Sequence, residues 1–395
     1  MIYYLSQWLL EQAQGTPWAE HLSPLRVFRY ITTRTAGAAL TALLLSLWLG
    51  PRVIRWLKRV KFGQDYEDRA AATGELPARV LSKRGVPTMG GILIIGVLQF
   101  SALLWTQWNA MVLLTLLSVA VLCGLGFYDD YAKIAKQNAG GAAEAVKLVV
   151  QFALAFFVGV YLWQSPVVSY LVDPVKGQLV DKQSLVTTFV APFYKYPLEI
   201  GALAGLLLVA ATIVGSSNAV NLTDGLDGLA IGCTLIVSVV FLFLTYFAGN
   251  ARVAGYLQIP YVPGAGELTV ICAALIGAGL GFLWFNCHPA QVFMGDTGSL
   301  PLGGALGLVA VLIHQPLLLL LAGGVFVAEA VSVLAQRGWF KYTRRRYGEG
   351  RRLFRMAPLH HHFEKMGWYE SQVTTRFYIL CLLCAVVALA TLKLR

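Results

Sequence analysis

Asn221-Leu222-Thr223-Asp224-Gly225-Leu226-Asp227-Gly228-Leu229 lies between two long apolar segments, 199–217 and 228–248, with no room for a separate domain around it. Segments of that length and character are membrane-spanning helices, and the polar stretch is then a short connection at a membrane face. Carboxylates are expensive in hydrocarbon, costing about 2.5–3.5 kcal/mol or more each at a helix centre. The chain nonetheless sets acidic groups at the ends of its apolar spans repeatedly. Asp129-Asp130 ends one span, Asp224 and Asp227 lie between two, and Asp296 opens another in Phe293-Met294-Gly295-Asp296-Thr297-Gly298-Ser299. On one side of a membrane these would form a single polyanionic site able to hold a metal ion.

Composition agrees with a membrane protein. Of 395 residues 57% are hydrophobic and 13% charged, about half the charge fraction of a soluble chain. Ten spans are expected, at 35–51, 91–107, 110–127, 146–163, 199–217, 228–248, 267–285, 299–314, 316–336 and 376–393, within one integral membrane domain covering 1–395. The expected class is all-α and polytopic. No secretory leader is evident in the first 34 residues, which contain Glu11 and Glu20 and two prolines. Cys381 and Cys384 have redox-pair spacing, but inside an apolar helix they read as packing residues, and no disulfide framework is expected.

Charge placement gives the orientation. Numbering the connections alternately, one side collects 22 of the 31 Lys and Arg residues, concentrated in 52–90 and 337–376. That side is cytoplasmic by the positive-inside rule, which puts both termini outside. Asp129, Asp130, the 221–227 stretch, Asp296 and His360-His361-His362 then all face the cytoplasm. The exterior connections 164–198 and 249–266 contain few charges, several prolines and tyrosines, and are expected along the outer interface.

Each motif carries a plainer alternative. Asp129-Asp130-Tyr131-Ala132-Lys133 is either a solvated helix end or a carboxylate pair facing a cation, with Lys133, Lys136 and Lys147 suited to an anionic ligand beside it. On a helical segment the three-residue spacing of Asn221, Asp224 and Asp227 puts them on one face. Asp296 is equally the cap of the following helix; in company with the other acids it reads as a metal ligand. Oxygen donors without Cys/His spacing favour Mg²⁺ or Mn²⁺ over zinc. The three consecutive histidines, following Arg344-Arg345-Arg346 and Arg351-Arg352, suit phosphate hydrogen bonding better than a shared ion, while the arginines also satisfy the topology rule alone. Lys83 and Arg84, before Gly90-Gly91, make a phosphate contact of low specificity. Glu329 inside the ninth span is either functional or a cross-helix hydrogen-bonding group.

Acidic metal ligands, basic anion contacts and a membrane frame point to phosphoryl chemistry on a lipid carrier. An ion-coupled transporter is disfavoured because its carboxylates would lie near the bilayer midplane. A CDP-alcohol phosphatidyltransferase would gather its acids in one compact motif. Five ordered motifs, SKRGVPTMGG (82–91), DDYAK (129–133), NLTDGLDGLA (221–230), FMGDTGS (293–299) and MAPLHHHFE (356–364), run through essentially the whole chain. In them the sequence resembles the polyprenyl-phosphate N-acetylhexosamine-1-phosphate transferases, and within these the phospho-N-acetylmuramoyl-pentapeptide branch. The last motif separates that branch from relatives transferring N-acetylglucosamine phosphate.

The resemblance implies ten transmembrane helices, a homodimer in the bacterial inner membrane, and Mg²⁺ dependence. Its implied substrates are UDP-N-acetylmuramoyl-pentapeptide and undecaprenyl phosphate, with no nucleic acid partner; its implied products are lipid I and UMP. By motif, Asp296 looks like the Mg²⁺ ligand, and Asp129 and Asp130 like the acidic pair near the attacking lipid phosphate. Asn221, Asp224 and Asp227 resemble the nucleotide-side polar set, Phe293 the residue stacked on uracil, and Gln336 a uracil contact. Lys83, Lys133 and Lys147 match basic residues near the phosphates, and His360, His361 and His362 the loop over the sugar phosphate.

Overall fold

A computed structural model describes residues 1–60, 85–135, 143–173, 178–191, 194 and 196–392. Its helices are α1 (Ile2–Gln12), α2 (Ile31–Arg59), α3 (Gly91–Trp105), α4 (Ala110–Ala135), α5 (Glu144–Gln164), α6 (Gly201–Thr223), α7 (Leu229–Ala248), α8 (Ala251–Leu257), α9 (Gly266–Asn286), α10 (Asp296–Leu312), α11 (Pro316–Ala322), α12 (Gly324–Tyr347), α13 (Leu359–Lys365) and α14 (Glu370–Ala390). Seven of them are long and apolar enough to cross a membrane, eight if the bent pair α11–α12 counts as one, and α3 and α10 are shorter apolar helices. The polytopic helical architecture expected from hydropathy is therefore present, with a helical segment at each of the ten expected positions.

Two differences stand out. The ninth segment, expected as one span over 316–336, is broken at Gly323, and α12 leaves α11 at 84°. Hydropathy measures how apolar a window is and carries no information about its direction. The chain is also not purely helical. Val168–Val172 pairs antiparallel with Leu179–Ser184, and Thr188–Phe189 pairs with Leu198–Glu199. These ribbons come from the 164–198 connection, where β-branched residues and turns replace the apolar helical pattern.

The centre is built from α9 and α10. Every residue of α10 from Thr297 to Leu312 is buried, and α10 packs along α4 and α6. The neighbouring α9 packs along α2, α7 and α3. Lipid tails and leucine are equally apolar, so helices in a bilayer associate through close packing more than through hydrophobic exclusion. Gly277 and Gly281, one turn apart on α9, supply that closeness. A Cβ on Gly277 would collide with the Ala39 carbonyl, and one on Gly281 with the Ser46 side chain of α2.

Hydrogen bonds and ion pairs sort the polar groups to the two ends of the bundle. At one end a buried ion pair ties α2 to α9: Arg34 donates to both carboxylate oxygens of Glu267 at 2.6 and 2.7 Å. Glu267 also accepts the Gln107 N–H at 2.8 Å. His314 at the end of α10 pins the ribbons there, within 2.9 Å of both Ser169 Oγ and the Thr188 carbonyl. The amino terminus donates to the Leu103 and Leu104 carbonyls at this same end, and α14 runs toward it. Asp129, Asp130 and Asp296 lie at the other end.

Candidate active site

Four helices converge on the acid cluster. Asp129 and Asp130 lie near the end of α4, Lys147 in the first turn of α5, Asn221 in the last turn of α6, and Asp296 opens α10. The approach of α4 to α10 requires Gly126, because a Cβ there would strike the Asp296 carbonyl. Gly295 adopts φ +72°, a left-handed conformation suited to glycine, and a Cβ would run into the Asp130 carboxylate. The preceding loop is held by backbone pairing. Phe293 N–H donates to Pro87, and Gly90 and Gly91 donate to Phe293 and Met294, all at 2.8–2.9 Å. Residues 87–91 and the 293–299 motif thus form one substructure, and α3 and α10 both start from it. These two helices have 15 and 17 residues, fewer than the ~20 that span a bilayer.

One carboxylate oxygen each of Asp129, Asp130 and Asp296 lies within 4.8 Å of the others. Asp129 is fully buried and Asp130 nearly so. Like charges this close are tolerated only with compensation, and two lysines provide it. Lys133 Nζ lies 2.6 Å from Asp129, 3.2 Å from Asp296 and 3.6 Å from Asp130. Lys147 Nζ lies 2.7 Å from Asp129 and 2.9 Å from Asp296. Asp130 accepts the Thr297 N–H at 3.0 Å and its hydroxyl at 2.7 Å. Asn221 Nδ2 donates to Asp296 Oδ1 at 2.8 Å and to Ser299 Oγ at 2.9 Å.

A second cluster forms around Asp227. Its Oδ2 lies 3.1 Å from His288 Nδ1 and accepts the Ala290 N–H at 3.1 Å. The Asp227 N–H donates to Glu370 at 2.8 Å. Asp227, His288 and Glu370 also offer ligand atoms within 4.8 Å of one another. The expected common helical face for Asn221, Asp224 and Asp227 is therefore corrected. Helix α6 ends at Thr223 with Asp224 as its cap, and Gly228 turns with φ +77°. Asn221 joins Asp296, while Asp227 turns toward 288–290. The spacing of three fits a turn as well as a helix.

The three histidines point three ways. His360 is fully buried, with Nδ1 3.2 Å from Glu329 and its N–H donating to Glu329 at 3.1 Å. His361 pairs with Glu364 at 2.8 Å, and His362 accepts the Arg355 N–H at 3.1 Å. The His360 ring also lies against Gly225, where a Cβ would collide with it, so the histidine helix α13 packs on the turn after α6. Glu329 is thereby the group beneath that helix. Gln336 accepts the Leu353 and Phe354 N–H groups at 3.0 and 2.9 Å; it anchors the loop before α13. Phe293 is half-buried beside Gly295. Lys83 and Lys136 fall outside the described residues.

Residues 112–314 match the glycosyl transferase family 4 model, and 83–95 match phospho-N-acetylmuramoyl-pentapeptide-transferase signature 1. Three curated proteins named phospho-N-acetylmuramoyl-pentapeptide-transferase are similar over almost their whole length. The one from Opitutus terrae is 47% identical over 95% of this chain and 98% of its own. That from Syntrophus aciditrophicus is 46% identical over 94% and 96%, and that from Methylacidiphilum infernorum 45% over the full length of both. The chain belongs to the phospho-N-acetylmuramoyl-pentapeptide transferase family.

Sequence reasoning missed several groups of this candidate site. Thr297, which fixes Asp130, lies within the 293–299 motif, where nothing in the spacing names its partner. His288 and Glu370 are single polar residues at span ends and carry no motif of their own.

Proposed function

We propose that the chain transfers phospho-N-acetylmuramoyl-pentapeptide from its UDP-linked donor to undecaprenyl phosphate, giving lipid I and UMP in peptidoglycan synthesis. The observation that carries this is the three-carboxylate, two-lysine cluster of Asp129, Asp130, Asp296, Lys133 and Lys147, set at one end of a membrane bundle in a chain of this family. An apolar groove supports a lipid acceptor. It has a volume of about 270 Å³, is walled by Leu208, Gly215, Leu306, Leu320 and Val327, and reaches Ala219 and Val220, next to Asn221. The acids lie at a bundle end, which fits an exchange at the membrane face better than ion transport through its middle.

All-oxygen donors this close fit a hard divalent cation, and Asp296 would hold Mg²⁺ with the Asp129–Asp130 pair beside it. Bound there, the ion would neutralise charge on the donor pyrophosphate. The remaining work falls to the protein. Lys133 and Lys147 neutralise phosphate oxygens, and Asn221 and Thr297 hold Asp296 and Asp130 in place. The lipid phosphate oxygen attacks the phosphorus attached to the sugar; that P–O bond forms as the bond to UMP breaks, and UMP leaves with the electron pair. A phosphate monoester has a second pKa of about 6, so the nucleophile is largely ionised at neutral pH. Asp129 orients it and accepts any residual proton.

The site faces the cytoplasm of a bacterial inner membrane in this proposal, the enzyme works as a homodimer, and His360 to His362 with Phe293 lie on the nucleotide-sugar side. UMP release that requires both the muramoyl-pentapeptide donor and a polyprenyl phosphate tests the reaction. Equal turnover of UDP-N-acetylglucosamine would instead assign the chain to the N-acetylglucosamine-1-phosphate branch. Labelled donor without lipid tests the single step: stoichiometric UMP release with label kept on protein would replace it with a covalent phosphoryl-enzyme.

A further inference from the structure

Lys147, Asn221 and Asp296 come from α5, α6 and α10, and each has a polar partner four residues deeper on its own helix. Those partners are Gln151, Ser217 and the Leu300 carbonyl, and they are bonded to one another. Gln151 Nε2 donates to Ser217 Oγ at 3.0 Å, and Ser217 Oγ donates to the Leu300 carbonyl at 2.9 Å. Gln151 Oε1 accepts from Asn218 Nδ2 at 2.8 Å, and Asn218 also donates to the Val214 carbonyl at 2.8 Å. Gln151 and Ser217 are both fully buried. Four residues along a helix is about one turn, roughly 6 Å of rise, on the same face.

We infer that the Gln151–Ser217–Leu300 chain is a spacer that sets the distance between Lys147 and Asp296, making Gln151 a positioning residue for phosphoryl transfer. The packing explains why one is needed. Helix α5 packs on α6, and α6 on α10, so the 2.9 Å approach of Lys147 to Asp296 is set through an intervening helix. Apolar contacts between spans are nondirectional and tolerate sliding; a hydrogen bond with a 3 Å optimum does not. A buried amide in an apolar bundle is costly unless both its ends are bonded, and both ends of Gln151 are. The inference rests on the transferase reading of the site.

The test uses the full-length enzyme and UMP release, with thermal stability measured in parallel. Gln151→Met keeps chain length and removes both hydrogen-bonding ends. Ser217→Ala cuts the same chain from α6. Each is expected to lower kcat by about tenfold, since displacements near 1 Å at a reacting centre cost up to about a hundredfold. KM for the nucleotide donor is expected to stay within about twofold, and the double variant to be no worse than the poorer single, because both cut one chain. Unchanged kcat per folded molecule, or losses that multiply in the double variant, would overturn the spacer. Should Gln151→Met not fold, Ser217→Ala alone decides by the same kcat and KM criteria. A wild-type enzyme that releases no UMP would overturn the transferase reading and the spacer with it, whereas an active wild type with unaffected variants would overturn the spacer alone.

Discussion

Lys147 Nζ lies 2.9 Å from Asp296 Oδ2, joining the first turn of α5 to the first residue of α10 across 149 positions of sequence. The same ammonium reaches Asp129 at 2.7 Å. Removing it leaves Lys133 as the only lysine against the acid trio among the described residues. Lys147→Met is expected to lower UMP release about a hundredfold, the usual scale for losing one charge-stabilising group in a site of this kind. Steady-state assays at saturating donor check this; a loss under threefold would remove Lys147 from the reaction.

Asp296→Asn preserves an oxygen that can accept from Asn221, so the junction of α6 and α10 keeps its hydrogen bond. The charge is lost, and with it the proposed cation's ligand. Turnover is expected to fall by about two or more orders of magnitude with thermal stability within a few degrees of wild type. Near-wild-type turnover would refute the metal assignment.

At the opposite end, Arg34→Met strands Glu267 as a buried, uncompensated carboxylate facing the Gln107 N–H. Breaking a buried pair from one side costs about 3–5 kcal/mol. A clear drop in melting temperature is expected, with kcat of the folded enzyme unchanged because the pair is remote from the acids. Arg34→Met/Glu267→Gln should recover part of the stability. A double variant less stable than Arg34→Met would show that the pair is not the source of the loss.

Gln336→Ala removes the acceptor of the Leu353 and Phe354 N–H groups. Faster hydrogen exchange is expected at those two amides, with a raised KM for the nucleotide donor as the loop before α13 loosens. Unaltered exchange with a raised KM would instead place Gln336 in direct contact with the donor.

Much of this molecule is legible in its sequence, for reasons that also mark where legibility stops. Apolar length gave ten helical positions because burial of the backbone in lipid demands helices. Asp129, Asp130 and Asp296 could be grouped because the Lys/Arg bias of the connections puts all three span ends on one side. Asp227 was misplaced with Asn221 because residue spacing cannot tell a continuing helix from a turn; Gly225 and Gly228 carried the signal. The partners of Gln336 lie 17 and 18 residues away in a loop without periodicity. The break in the ninth segment was marked only by the pair Gly323-Gly324. Gln151 and Ser217 lay inside apolar runs, where a lone polar residue has too many possible partners to name one.

The 84° turn between α11 and α12 brings Leu320 and Val331, both exposed, onto the rim of the apolar groove beside α6 and α10. The proposed lipid acceptor reaches a groove so placed by sliding in the plane of the bilayer, never crossing into water. Its supply is then governed by how densely it populates the leaflet, while the nucleotide's follows its concentration in solution, so the two reactants saturate the enzyme in different units.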